Sequence, residues 1–488
     1  MNDAARLGRN FSATAVGQLV SQVLTLLMSV ILARALGVVS YGVFVFAFAF
    51  PSWLLLIVSV GLDAVLTIDV AADRSKARPY LSAVALLRVP LAFAAFVVLW
   101  FSVRAVLSDP LDQTVTIIIG TAMILETYAG TFLATFRAFE RMEFEALIII
   151  MERVVTVSLV FVLLNLGFGL LHVSFVVFLG SILNLTFSVT ILRRKFVWFA
   201  PSPDRSLLRK ILWKALPFAL SGVVGTFLTS AAPVLLALLR SPEATGEFNA
   251  AYALLFALLA FFSIYHTVFL PTMARVYREN PGRLLSMVTR TQKLFFALGL
   301  PMTLGGWYYA SEIVTLVYGD AFLDSGRSLE VLAFAIAIST AVLGVGTALL
   351  ATNRQTLSLG IRSVGMTLNF VLCLFLIPPW GAVGASIAYL TATCLMGSLA
   401  TLAVYRLIGP LRLRTTFTKP ILVGVAMIAF LIVLQKPSLW LGVALGASFY
   451  FIVLILIRGL TREDWGVIKD AVRGAVFRRA PIAADPEE

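Results

Sequence analysis

The stretch ALIIIMERVVTVSLVFVLL, residues 146–164, is almost pure hydrocarbon, and its only charges are Glu152 and Arg153. Nineteen residues at about 1.5 Å each cover roughly 30 Å, the depth of a bilayer's hydrocarbon core. A helix on a soluble protein keeps a polar face for water, and this one has none to offer. It reads as a membrane span, and comparable apolar runs recur along the whole chain.

The 488 residues are 60% hydrophobic and only 13% charged, with a mean hydropathy of +0.97. A soluble protein carries about 25% charged and about 45–50% apolar residues. The fold class that follows is an all-α polytopic membrane protein, because barrel strands read as short alternating segments instead. After Arg6 and Arg9 the first apolar run continues past Leu36 with no small-residue cleavage site, so it reads as a retained span. Spans are expected near 11–36, 41–66, 81–101, 114–136, 146–165, 173–192, 215–239, 249–271, 294–316, 329–350, 357–377, 383–405, 419–434 and 439–457, about 14 in all.

An even number of spans places both termini on one side, and lysine and arginine decide which. Only Arg34, Arg104, Arg240, Arg327 and Lys436, five of the 38 Lys and Arg, fall in odd-numbered loops. The other 33 mark the even side and both termini as cytoplasmic. The net charge of +13 thus reflects topology and anionic membrane lipids, with no nucleic acid partner implied. Cys373 and Cys394 both fall in spans and read as buried packing residues, without disulfide or zinc spacing.

A weak internal repeat organises the spans. RALGVVSYGVF (34–44) aligns with LLRSPEATGEF (238–248), Pro90 of LLRVPL (86–91) with Pro301 of LGLPMT (298–303), and ALIIIMERV (146–154) with TLSLGIRSV (356–364). The offsets, 204, 211 and 210, make spans 1–6 and 7–12 two six-helix copies in one orientation, the parallel-repeat plan of alternating-access transporters. The expected domains are an N-lobe (1–192), a basic cytoplasmic linker (193–214), a C-lobe (215–405), and spans 13–14 with a cytoplasmic tail (406–488). Within the linker, Leu207, Leu208, Ile211 and Leu212 share one face, which predicts an amphipathic helix lying on the inner leaflet. TREDWGVIKDAV (461–472) carries the same pattern. Gly37, Gly42 and Gly246 read as tight outer turns, and Pro378–Pro379 as a helix break.

The chain resembles the polysaccharide biosynthesis, Wzx-type oligosaccharide flippases of the multidrug/oligosaccharidyl-lipid/polysaccharide (MOP) exporter superfamily. LARALGVVSYGVF (32–44), RAFERMEFEAL (137–147), ALPFALSG (215–222), GEFNAAYAL (246–254) and FLPTMARVY (269–277) carry the likeness in order. LVYGDAF (316–322), NRQTLSL (353–359), IPPWGAVGASIA (377–388) and LTREDW (460–465) continue it. The resemblance implies two pseudo-symmetric six-helix lobes plus two C-terminal helices. It also implies movement of a polyprenyl-pyrophosphate-linked oligosaccharide, an O-antigen, capsule or exopolysaccharide repeat unit, from inner to outer leaflet. A polysaccharide polymerase or export machinery would then be a partner. The family usually carries an acid in span 7, where this chain reads SAAPVLL (230–236).

Ionisable residues inside spans are functional candidates by default. Arg88, Glu152, Arg153 and Arg362 sit roughly 9–12 Å from the inner ends of their spans, and Glu126 lies deeper. Adjacent residues on a helix point about 100° apart, so Glu152 and Arg153 are expected to address different partners rather than each other. The repeat matches Glu152 with Arg362, which predicts a contact across the axis and leaves Arg88 and Arg153 for an anion. Arg88, Arg153, Arg362 and Glu152 are therefore the candidate substrate-binding residues. Glu126 is a candidate for H⁺ or Na⁺ coupling, with no other cofactor and no metal expected. His266 reads as a core histidine.

Two other transport readings stay open: a drug or cation antiporter of the same superfamily and a lipid II flippase. The antiporter would have twelve spans and an acidic cation site. An enzyme, such as a membrane glycosyltransferase or polymerase, would need catalytic acids on a sizeable loop, and no outer loop exceeds about a dozen residues.

Overall fold

A computed structural model describes the backbone of residues 3–196, 199 and 205–460, and the side chains from residue 20 on, except those of 220–221, 223–225, 228–229, 261, 263–268 and 281. Among the described residues there are helices and short connections and no strand. Nine of these helices are long and apolar enough to cross a membrane. The expected surface helix at 461–472 and the His266 side chain lie outside the described residues.

The helices are α1 (Asp3–Ser59), α2 (Leu62–Ala72), α3 (Ala77–Val106), α4 (Pro110–Ala138), α5 (Met142–Asn165), α6 (Leu170–Lys195) and α7 (Arg205–Leu239). They continue with α8 (Pro242–Glu279), α9 (Pro281–Tyr308), α10 (Ala310–Tyr318), α11 (Ser325–Ala351), α12 (Gln355–Leu407), α13 (Leu413–Val433) and α14 (Leu439–Leu456). Local chemistry starts some of them: Asp109 accepts from the Leu111 and Asp112 amides ahead of α4, with Pro110 at the first helical position. Asn280 and Pro281 repeat the arrangement at α9.

Two of the helices are bent rods that each carry two expected spans. In α1 the bend is at Gly37, whose φ of 76° is left-handed. In α12 it is at Gly381 (φ 54°), while Pro378 and Pro379 stay helical, so the break lies beyond the prolines. A third break, at Val60 (φ 36°) and Gly61 (φ 71°), separates α1 from α2 inside expected span 2.

Gly42 and Gly246 are not turn residues; they allow backbones to touch. A Cβ on Gly42 would overlap the Pro242 carbonyl oxygen, and one on Gly246 would overlap that of Val38. Each glycine thus seats the segment that carries the other, so the repeat match marks a reciprocal α1–α8 contact.

The chain divides into two compact units. Unit 1 comprises residues 1–257, 314–328 and 370–385, and unit 2 comprises 258–313, 329–369 and 386–488. In unit 1 the start of α7 corrects the reading of residues 205–214 as a surface helix. Ile211 is fully buried with Leu62, Val65 and Tyr80, and Leu207 and Leu208 pack against the same cluster. An apolar stripe covers a protein core as readily as a bilayer, and here it joins α2 and α3. Lys214 adds an ion pair to Asp69 at 2.7 Å. In unit 2, Phe262, Met273, Val288, Leu349 and Val404 form one core, and Phe296, Met427 and Tyr450 form another that seats α13 and α14. Cys373 is buried as expected, but Cys394 is exposed on its helix.

Candidate functional site

In unit 1, the α1–α2 break places Asp63 in the first turn of α2, where the helix dipole favours a carboxylate. Arg88 reaches it from the middle of α3. Its Nη2 lies 2.8 Å from Asp63 Oδ1, with the arginine side chain 0% exposed and the aspartate 31% exposed. Arg88 Nη1 donates to Thr131 Oγ1 at 2.7 Å and to the Thr127 carbonyl on α4. Gly130 makes room for the pair, since a Cβ there would stand 3.2 Å from Asp63 Oδ2. Arg88 is therefore neither free for an anion nor extended to the headgroups; it is locked between a carboxylate and a helix. Its Nε and Nη2 nevertheless have no hydrogen bond of good geometry, so the ion pair is close but poorly aligned.

Glu152, 4% exposed, lies one helix away on α5. Oε1 accepts from Thr156 Oγ1 at 3.1 Å, and Oε2 is 3.4 Å from Arg153 Nε. The two neighbours do pair, against expectation. The angle between neighbouring positions still tells, since Arg153 Nε makes no hydrogen bond. Gly180 on α6 leaves the space: a Cβ there would overlap Thr156 Oγ1 and sit 3.1 Å from Glu152 Oε1. Glu126 on α4 is half-buried and within electrostatic reach of both Arg153 and Glu152. Arg153 keeps 34% of its side chain exposed.

The motif RAFERMEFEAL is structural. Glu140 takes φ 56° in the tight α4–α5 connection, Arg137 pairs with Glu145 at 3.3 Å, and the Arg141 guanidinium lies over the Phe144 ring. Phe136, Phe144 and Phe196 close around it. This aromatic cluster ties the α4–α5 connection to the C-terminal end of α6.

Arg362 belongs to unit 2 and Glu152 to unit 1. It lies on α12 one turn from Ser358 and from Met366, exposed into a cavity of about 330 Å³. Ser339 and Thr340 of α11 and Tyr389 and Thr393 of α12 complete the polar part of the wall. No carboxylate is among the described lining residues. The two units thus differ in charge chemistry. In unit 1, Asp63 matches Arg88, and Glu126 and Glu152 outnumber Arg153; in unit 2, Arg362 meets hydroxyls.

Sequence reasoning missed Asp63. The signal was present, because an aspartate inside expected span 2 meets the same criterion that selected the other five residues. Among the described residues no group of three His, Cys, Asp or Glu is placed to hold a metal ion.

The model of one family, described as "Polysaccharide biosynthesis protein", matches residues 7–277, more than half of the chain. No curated protein matches the sequence. Among solved structures, the lipid II flippase MurJ in an inward-closed conformation superimposes with a TM-score of 0.72 at 14% identity, covering 92% of this chain and 98% of that one. An inward-facing multidrug resistance MATE family transporter of the MOP superfamily gives 0.65 at 14% identity, covering 80% and 94%. At such identities the likeness is one of fold, which is that of the MurJ and MATE transporters.

Proposed function

The chain belongs to the polysaccharide biosynthesis protein family, and on that premise we propose that it flips a polyprenyl-pyrophosphate-linked oligosaccharide from the inner to the outer leaflet. The observation that carries the reading is Arg362, an exposed guanidinium on a hydroxyl-bearing cavity with no carboxylate among its described lining residues. A guanidinium fork matches two phosphate oxygens, and the hydroxyls offer donors to a third or to a sugar. A drug cation would be repelled there.

In this reading Arg362 is the first pyrophosphate contact. Arg153, partly exposed, is a second, with Glu152 holding its side chain in place. Arg88 joins only when Asp63 leaves it, so the pyrophosphate exchanges with a resident carboxylate instead of meeting a bare charge. Glu126 is the group for H⁺ or Na⁺ coupling. No covalent step is required of any of them. The protein works by alternating access in a prokaryotic inner membrane with both termini cytoplasmic, delivering repeat units to a polymerase. An inside-negative potential favours outward transfer of an anion by about 2.3 kcal/mol per charge per 100 mV.

The test is flipping by the purified protein in liposomes with a defined lipid-linked oligosaccharide. A charge-assisted hydrogen bond to phosphate contributes about 1.5–3 kcal/mol. Arg362→Ala should therefore raise the half-saturating substrate concentration roughly 10- to 100-fold, with Arg362→Lys intermediate. Unchanged flipping by both variants, or transport of an organic cation in place of the lipid, would overturn the proposal.

A further inference from the structure

Unit 1 holds a second recess, away from the charged layer, of about 490 Å³. Val30 and Ile31 of α1 and Phe161 and Leu164 of α5 form its apolar walls, and Arg34 and Asn165 stand among the lining residues. Arg34 lies just before the bend of α1, and Asn165 is the last residue of α5. Leu316 and Val317 of α10, in that helix's last turn, complete the wall. The bend of α1 and the ends of α5 and α10 therefore meet at one level, the level at which apolar spans give way to headgroups. The distribution of lysine and arginine makes that the outer side.

Among the described lining residues Arg34 is the one that carries a charge. Its Nε donates to the Val317 carbonyl at 2.7 Å and its Nη2 to the Leu316 carbonyl, so one edge of the guanidinium caps α10. Capping uses two of the five N–H groups of an exposed residue and leaves the Nη1 edge with no bond to the cap. Asn165 Nδ2 gives one hydrogen to the Phe161 carbonyl and keeps the other. A cation with open donors above a wall of aliphatic and aromatic side chains matches an amphiphile with an anionic head.

We propose that this crevice binds a glycerophospholipid of the outer leaflet, its phosphodiester on the open edge of Arg34 and one acyl chain along Ile31, Phe161 and Leu164. The charge argues for a phosphate, and the apolar walls for a chain attached to it. A bound lipid then braces the α1 bend and the α5 and α10 ends through the residue that already joins α1 to α10.

The experiment is native mass spectrometry of the full-length protein, delipidated in detergent and titrated separately with phosphatidylglycerol, inorganic phosphate and a polyprenyl phosphate. The expected result is one phosphatidylglycerol per protein, bound at least tenfold more weakly by Arg34→Gln and by Leu164→Trp, which fills the crevice without touching the cap. Leu164→Trp keeps the test decisive if loss of the α10 cap prevents folding of Arg34→Gln. Equal lipid retention in a folded Leu164→Trp protein would overturn the proposal. So would saturation by inorganic phosphate at similar concentrations, or preference for the polyprenyl phosphate. Flipping that fails in the Arg362 variants leaves this site untouched.

Discussion

Arg88 and Asp63 stand 2.8 Å apart across α2 and α3, with the guanidinium sealed from solvent and the carboxylate at the start of a helix. Removing one partner of such a pair leaves an uncompensated buried charge, at a cost of about 3–5 kcal/mol. The partial exposure of Asp63 puts its case at the low end. Asp63→Asn is expected to lower the thermal midpoint of the purified protein clearly, and Asp63→Asn with Arg88→Met to recover most of it. Flipping should be impaired in the double variant despite the recovered stability, because the exchangeable arginine is gone. A single Asp63→Asn protein as stable as the parent would mean that Thr127 and Thr131 hold Arg88 unaided.

Glu152 and Arg153 depend on Gly180 for their space. Gly180→Ala drives a methyl into Thr156 Oγ1 and towards Glu152 Oε1, so the Thr156 hydrogen bond must break or α6 must shift. Overpacking of this kind costs about 1–3 kcal/mol. The expected outcome is reduced flipping in Gly180→Ala that Gly180→Ala/Thr156→Ala partly restores, since the second change removes the clashing hydroxyl. Absence of any restoration would place the damage elsewhere on α6.

Apolar run length alone was enough to read an all-helical membrane protein, because covering a hydrocarbon core is a property of each segment by itself. The direction in which a side chain points is not. Depth counting placed Arg88 among the charged residues of the spans, yet its partner is 25 positions earlier in the chain, beyond a helix break at Val60 and Gly61 that no proline announces. The apolar stripe from Leu207 to Ile211 was legible as a stripe, but hydrophobic periodicity does not say whether lipid or α2 lies against it. Gly42 and Gly246 were visible as a matched pair; that they touch each other's segments depends on how α1 and α8 meet, which alignment does not contain.

Asp69 supplies a pH dependence. Burial alone would raise its carboxyl, but hydrogen bonds from Lys214 and Tyr80 and the charges of Lys214 and Lys76 outweigh that and hold it below the ordinary value of 3.8. A depressed carboxyl adds stability above its unfolded value and loses it as pH falls towards the folded one. The thermal midpoint of the parent should exceed that of Asp69→Asn at pH 7. The gap should close as the pH falls below about 4. A gap that persists unchanged in acid would assign the contribution to packing and not to the ion pair with Lys214.

The reciprocal glycines make the last prediction. A methyl group on Gly42 meets a backbone carbonyl, that of Pro242, which cannot rotate away as a side chain can. Alanine gains about 1 kcal/mol of helix propensity over glycine, yet overpacking against a fixed backbone costs about 1–3 kcal/mol. The clash should win, and Gly42→Ala and Gly246→Ala should each lower the thermal midpoint. Because both changes push the same two segments apart, the first forced separation makes room for the second methyl. The double variant should then lose less than the sum of the singles, a coupling that a double-mutant cycle measures directly. Strict additivity would show that each glycine is strained by itself, with no shared α1–α8 contact.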